Sequence, residues 1–591
     1  MKSPSTYSVL HGGAGSGTQL SPIINLLPET MRRSASMTTL TAFISVFIFV
    51  SFCLYSTRGP IYVSDLFNPL VRHGGSLVHA IQDELPDRYP NDSVPEYSYV
   101  DSVSILFPDW EVLVIVTDAT PVTTNENFIC WYPNGETSPA RFAAVLPSTN
   151  QSKFKCEFPK RNRRSRPYLS PEIRRSSHRG SSPASAAETN KELMKWNFLA
   201  YESFSTEDDV VLFVKGVNNR QGVNRSPQDF KCLFRHVNGS TAVGTEVTSS
   251  AQELFRCRHP DLTAFRHDGA QDDETVPFKV KVSLEIPQES AVVPTVAYYT
   301  PWRRMLNQER KSQMCAATMI YNAAKFLREW VMYHSTIGVD RFILYDNDSD
   351  DGLSAAVEEL IKEGYNVETV TWVWPKTQEA GFSHAALYAN HSCTWMMYVD
   401  VDEFVFSPSW ASSSNPSDHM LMTLIPEEST VGQVSIRCNE FGPSNQRSHP
   451  QQGVTQGYTC RRKSANRHKS IVLIDAIEDS LLNAIHHFRL KRGYRSKQLS
   501  LQTGVVNHYK YQAWSEFKVK FRRRVSTYVV DWMRSLNPMS KDRTPGLGFD
   551  PVEPDGWENR FCEVRDDQLK VMTQKWFGNQ TGSGHGMAWQ R

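Results

Sequence analysis

The hydrophobic pattern changes character along the chain, and each change predicts a different architecture. Residues 37–57, MTTLTAFISVFIFVSFCLYST, carry no charge. At 1.5 Å per residue such a run crosses the roughly 30 Å of a bilayer's hydrocarbon, so it predicts a transmembrane signal anchor. A polar segment, 1–36, precedes it, which suits an anchor better than a cleaved leader with its apolar core near the start. Lys2, Arg32 and Arg33 stand before the run, while Arg58 and Asp65 follow it and cancel, so the tail 1–36 is expected in the cytosol and the rest in the lumen. Residues 58–105, with scattered Pro and Asp, read as a stalk.

Between 106 and 298 the pattern is one of short runs rich in β-branched and aromatic residues, bounded by Pro, Gly or Asn: ILFPDWEVLVIVT, NFICWYPNG, KFKCEFP, DVVLFVKGV, DFKCLFRHV and FKVKVSLEI. This predicts an all-β, sandwich-like module. Residues 160–192 interrupt it with an Arg-, Ser- and Pro-rich stretch that lacks apolar periodicity, expected to be a disordered insertion. Its charge suits a solvated tether, or a polyanion or lipid headgroup.

From 310 to 575 strand and helix patterns alternate. MCAATMI, RFILYD, NVETVTWVW and TWMMYVDVDEFVF read as strands, and the stretches starting at 323, 354 and 384 have helical periodicity. That rhythm predicts an α/β domain with a mostly parallel sheet, which binds ligands outside the carboxyl ends of its strands. Residues 514–533 predict an amphipathic helix, and 576–591 a flexible tail.

The composition then narrows the function. With 64 Lys+Arg against 63 Asp+Glu the net charge is +1, so no global basic field recruits nucleic acid. The ten cysteines include no CxxC pair, which argues against a zinc ribbon. Beyond Cys53 in the apolar run, nine remain, so at least one thiol is unpaired within the chain or bridges two chains; Cys130, Cys156, Cys232 and Cys257 suggest cross-sheet disulfides. Glycosylation sequons at Asn91, Asn150, Asn224, Asn238, Asn347, Asn390 and Asn579 agree with a lumenal chain.

Candidate chemistry sits where acids end strands. Asp400 and Asp402 close an apolar strand, and such carboxylates suit Mg²⁺ or Mn²⁺ shared with a diphosphate. Asp346, Asn347 and Asp348 end another; they can bond a ribose or uracil, or simply form an Asx-rich turn. A glycan on Asn347 would obstruct that cleft, so this sequon is expected to stay unused.

These motifs, in order with KTQEAGFSHAALYAN, FGPS, RHKSIV, HHF and VVNHYKYQAWSEFKVKF, resemble the plant members of glycosyltransferase family 92, which include the β-1,4-galactan synthases. The resemblance covers roughly 310–540. It implies a GT-A type fold, a nucleotide-sugar donor such as UDP-galactose, Mn²⁺ (or Mg²⁺), inversion at the sugar carbon and a Golgi type II membrane protein acting on a cell-wall polysaccharide or glycan. The β-rich part looks, more loosely, like a carbohydrate-binding module. His508 fits the position that completes a metal shell with Asp400 and Asp402, or is a structural histidine. Lys469 and Lys510 would reach phosphate oxygens, or are surface lysines. Tyr321, Asn322, Glu329, Asp346, Asn347, Gln378 and His384 would line the donor. The acceptor base is sought among Glu379, Glu440 and Glu516, with Glu379 preferred. A non-catalytic lectin-like protein is the competing class, a metal-dependent phosphotransferase or nuclease another, and a homodimer is an option the residues leave open.

Overall fold

The computed structural model describes residues 102–590 apart from 117–126, 147–150, 165, 177–190, 219–222, 238–240, 266–279, 304–309, 520–552 and 582–583. The apolar run 37–57 and its flanks lie outside the described residues, as does most of the predicted helix 514–533. Among the described residues no helix is long and apolar enough to cross a membrane.

The β-rich region is two sheets, each with a core of its own, where a single sandwich was expected. The first runs in the order Glu172–Arg175, Phe128–Trp131, Thr137–Leu146, Gln151–Glu157, Glu111–Val116, Ser102–Leu106, Met194–Lys195. The second contains Ala291–Val292, Val280–Ile286, Lys231–His236, Ala242–Ala251, Leu254–Arg258, Asp209–Lys215 and Leu199–Ser205, in that order. The reason lies in the two-residue period of a strand. Val112, Val114 and Val116 face the first sheet's own core, whereas Leu113 and Ile115 face the other way. Likewise Val210, Leu212 and Val214 enter the second sheet's core, while Val211 and Phe213 turn outward. Those outward faces meet in a third core with Ile343, Trp372, Phe382 and Met396 of the following domain.

Several boundaries move. Ser102–Leu106 is a strand inside the predicted stalk. Glu172–Arg175, inside the predicted disordered insertion, pairs antiparallel with Phe128–Trp131 as the sheet's edge. The disulfides Cys130–Cys156 and Cys232–Cys257 form as pairs, but each joins strands flanking a shared neighbour within one sheet. Cys315–Cys393 and Cys460–Cys562 are also bridged, and Cys438 is a buried free thiol.

The α/β domain holds a sheet in the order Val367–Thr371, Arg341–Asp346, Ser312–Ile320, Cys393–Tyr398, Asn466–Leu473, Val431–Glu440, Val505–His508, Glu403–Phe406. The first four strands are parallel. Beyond them Asn466–Leu473 and Glu403–Phe406 run antiparallel to their neighbours, so the sheet is mixed where a mostly parallel one was expected. Both faces are covered, which is why its strands read as near-continuous apolar runs. Met314, Ala316, Phe342, Leu344 and Met397 pack on one side with Phe326, Leu327, Trp330 and Val331 of the helix Ala324–Thr336. Cys315, Ala317, Ile343, Tyr345 and Tyr398 pack on the other with the helix Gln378–Tyr388 and both β-rich sheets.

Among the described residues the edge strand Glu403–Phe406 has one strand neighbour, and side chains of Ala324–Thr336 bond its other edge. Trp330 Nε1 donates to Glu403 O (3.1 Å), Tyr333 Oη donates to Val405 O (2.7 Å), and Val405 N donates to His334 Nε2 (3.3 Å). At the carboxyl terminus the predicted flexible tail is instead structured. The helix Gln568–Phe577 leads into a hairpin, Gly578–Thr581 with Gly584–Met587, and Phe577, Met587 and Trp589 are buried in the core.

Candidate functional site

Val399 follows the strand Cys393–Tyr398, and the turn Asp400-Val401-Asp402 leads straight into Glu403–Phe406. The short turn places Asp400 and Asp402 at the sheet's carboxyl end and hands Glu403 to the edge strand. There Glu403 lies directly opposite His508, and Glu440 lies beside His508 on its other side. Sheet pairing thus assembles the DVD acids, His508 and Glu440 from segments far apart in sequence.

Lys469 enters this cluster from the Asn466–Leu473 strand. Its Nζ is 2.7 Å from Asp400 Oδ2, 2.7 Å from Glu403 Oε2 and 2.7 Å from His486 Nε2. Burial opposes its charge, but Asp400 and Glu403 outweigh that and hold the amine's pKa above its ordinary value. Burial likewise pushes Asp400 up, and Lys469 and His486 overcome it, so this carboxyl titrates below the usual range. Glu403, wholly buried, is raised by desolvation despite Lys469. Asp400 N also donates to Glu403 Oε2 (2.9 Å), which fixes the turn.

His508 offers its two nitrogens to different acids. Nδ1 stands 3.2 Å from Glu403 Oε1, an ion-pair distance without hydrogen-bond alignment, and Nε2 stands 3.7 Å from Asp402 Oδ2. An acid behind one nitrogen and an open approach at the other is how proteins orient a metal-binding imidazole. Among the described residues no three His, Cys, Asp or Glu side chains converge tightly enough to enclose an ion by themselves. The donor set Asp402 and His508, with Asp400 turned to Lys469, therefore fits an ion that takes its remaining ligands from water and a diphosphate, as Mn²⁺ and Mg²⁺ do.

Lys510 is not available for phosphate. Its Nζ donates to Glu440 Oε1 (2.5 Å), and Arg462 Nη1 donates to Glu440 Oε2 (3.2 Å). Burial raises the Glu440 carboxyl, but Lys510 reverses that and keeps it below its ordinary pKa. Glu440 is thus a neutralised anion supporting the His508 strand and a poor proton acceptor.

A second acidic cluster lies at the end of Arg341–Asp346. Asp346 Oδ1 accepts from Ser349 N (2.9 Å), Asn322 Nδ2 donates to Asp350 Oδ1 (2.6 Å), and Ala324 N donates to Asp351 Oδ2 (2.8 Å). Asn347 Nδ2 donates to Trp372 O (2.6 Å) and Trp374 O (3.1 Å), so the amide that a glycan would modify is already tied to the next strand's loop. Tyr321, 39% exposed, stands beside this loop at the end of Ser312–Ile320.

Other predicted residues go elsewhere. Glu329 accepts from Val454 N (2.7 Å), Thr455 N (3.0 Å) and Thr455 Oγ1 (2.6 Å), which places it under the 453–455 turn and away from a donor role; burial raises its carboxyl to about 7. His384 is a core residue, not a donor ligand: Tyr345 Oη lies 2.7 Å from its Nδ1, Phe204 and Phe213 of the second β-rich sheet pack on its ring, and burial lowers it to about 3. Gln378 and Glu379 open the same helix; Glu379 is 4% exposed, and Asn483 Nδ2 donates to its carbonyl (3.0 Å). Glu516 pairs with Lys325.

The sequence alone assigned no individual role to Glu403, to His486 of the HHF motif or to Arg462. The signal for Glu403 was present, since an acid opens an otherwise apolar strand, EFVF.

Residues 310–544 match the model of Glycosyltransferase family 92. A family 92 protein of Ricinus communis is 37% identical over 570 residues, covering 94% of this chain and 96% of its own length. One from Arabidopsis thaliana is 41% identical over 411 residues, 68% of this chain and 70% of its own. Among solved structures, a mannosyltransferase from Pyrobaculum calidifontis in complex with GDP-Man and Mn²⁺ is 13% identical, covering 47% of this chain and 73% of its own, with a TM-score of 0.23. The extent of the match to the Ricinus protein, through both β-rich sheets and the α/β domain, settles the family: this chain belongs to glycosyltransferase family 92.

Proposed function

We propose that the protein is a GT-A type, metal-dependent inverting hexosyltransferase, moving galactose from UDP-galactose onto a cell-wall polysaccharide or glycan as a type II Golgi membrane protein. The observation that carries the catalytic part is the Asp402–His508 pair at the sheet's carboxyl end, backed by Glu403 and flanked by Lys469. A divalent ion held by Asp402 and His508, with Asp400 through water, would neutralise charge on the departing diphosphate. Lys469 stands between Asp400 and Glu403 and offsets part of the cost of holding two acids close together in this turn. The loop of Asp346 and Asn347, with Tyr321 beside it, faces the end of the sheet where base and ribose would dock.

The test uses the full-length chain in detergent micelles with a panel of nucleotide sugars, Mn²⁺ or Mg²⁺, and a glycan array. UDP release and acceptor elongation should be fastest with UDP-galactose. Absence of nucleotide release with every donor and both metals sinks the reading.

A further inference from the structure

On the first β-rich sheet, Arg141 lies directly opposite Lys155 across two antiparallel strands. Like charges at opposed positions repel, and Lys153, two residues along on the same face, adds a third cation. Lys153 is fully buried, its Nζ has no hydrogen-bond partner among the described residues, and it stands 4.6 Å over the Trp374 ring. Two acids balance this face: Glu111 of the same sheet, a partly exposed side chain that accepts from Lys155 Nζ (2.9 Å), and a buried acid of the α/β domain. Asp348 is buried; Lys155 Nζ stands 2.7 Å from its Oδ2, and Arg141 forks onto both carboxylate oxygens, with Nη1 3.1 Å from Oδ1.

Asp348 is placed to transmit this. It has a left-handed backbone, φ 71°, and follows Asn347, whose amide bonds the Trp372 and Trp374 carbonyls. The carboxyl-end loops of two parallel strands are therefore fixed through one residue that a different module clamps. Trp374 continues the seam, donating from Nε1 to Glu202 Oε2 (3.3 Å) and stacking on Trp196 at 5.8 Å.

The geometry points to Arg141 and Lys155 as positioning residues for the nucleotide end of the donor site. The β-rich sheet is then a built-in wall of that site, acting through Asp348, and not a detachable appendage. This rests on the donor-binding reading above.

The full-length chain in micelles tests it, with UDP binding by calorimetry in Mn²⁺ and donor kinetics on the same samples. Lys155→Met and Asp348→Asn should each raise the donor KM and the UDP Kd about tenfold while kcat changes less than about twofold. The double variant should be no worse than either single one, and Lys155→Arg should return KM to within about twofold of the parent. Arg141→Gln, at a half-exposed position that tolerates substitution, should raise KM about threefold even if the buried variants fail to fold. A parent that binds UDP, with Arg141→Gln and every folded variant unchanged in KM, overturns the inference and leaves the donor-binding reading standing. A parent that binds no nucleotide overturns both.

Discussion

Two acidic segments follow the parallel strands that flank Ser312–Ile320, at the same end of the sheet, and they use their charge in opposite ways. In the 346–351 loop the carboxylates bond backbone N–H groups and an amide, or, at Asp348, cations of another module. In the 400–403 turn they face Lys469 and His508 of the same sheet, with His486 held against Lys469. The electrostatics follow: burial dominates at Asp346 and raises its pKa, whereas Lys469 and His486 prevail at Asp400 and lower it. A run of acids therefore does not itself mark chemistry. What marks it is whether the partners lock the acids into a loop, as backbone N–H groups do at Asp346 and Asp351 and the Arg141 and Lys155 clamp does at Asp348, or leave them among ionisable groups where a ligand can share the charge.

The strongest way to break that contrast is to neutralise one acid in each segment. Asp402→Asn should lower kcat/KM by about a thousandfold or more with an unchanged unfolding midpoint, because it removes an ion ligand of similar shape. Asp350→Asn, which keeps an acceptor for Asn322, should cost less than about threefold. Equal losses in a donor-turnover assay would mean that both segments serve the same end.

Stability gives the next largest effect. Lys469→Met leaves Asp400 and Glu403 facing each other in a buried site without a cation, and removing one partner of such a cluster costs about 3–5 kcal/mol. Urea unfolding should show it, and Glu403→Gln on the same background should recover part of the loss. No change would mean that Lys469 is a bystander. Asp351→Ala, by contrast, removes only a hydrogen bond to Ala324 N at a helix start and should cost about 0.5–2 kcal/mol.

How much of this was legible in the sequence follows from the same distinction. Asp400, Asp402 and His508 could be picked out because strand ends and spacing are local. Glu403 was overlooked since an acid opening a strand looks like its solvent face, and only the pairing with His508 shows that it is buried. His384 misled because its helix appears two-sided in sequence; the apolar partners that bury it, Phe204 and Phe213, come from a module far upstream. The two-sheet arrangement was hidden similarly: continuous apolar runs such as VLVIV announce two buried faces without saying which core each face meets. The ordered end of the chain had a signal that was passed over, Phe577 and Trp589, aromatic residues that a solvated tail rarely carries.

The smallest effect is the most discriminating, since it asks for opposite signs from one substitution. Asp346 has a folded pKa above its unfolded value, so its ionised form is disfavoured by the fold; the stability it contributes is present at pH below the unfolded carboxylate range and is lost as pH rises through the folded pKa. Asp400 has a folded pKa below its unfolded value, so it stabilises above that range and loses this as pH falls. At pH 7, Asp346→Asn should therefore raise the unfolding free energy and Asp400→Asn lower it, each by about 1 kcal/mol or less. Toward acid pH both differences should shrink toward zero as each carboxyl becomes protonated in both states, first for Asp346, below the unfolded range, and later for Asp400, below its depressed folded pKa. Chemical denaturation of the parent and the two variants across pH 3–7 reads both curves. Parallel curves for the two variants would show that the 346–351 loop and the 400–403 turn hold their charge in the same way, and the distinction between architectural and exchangeable acids would fall with them.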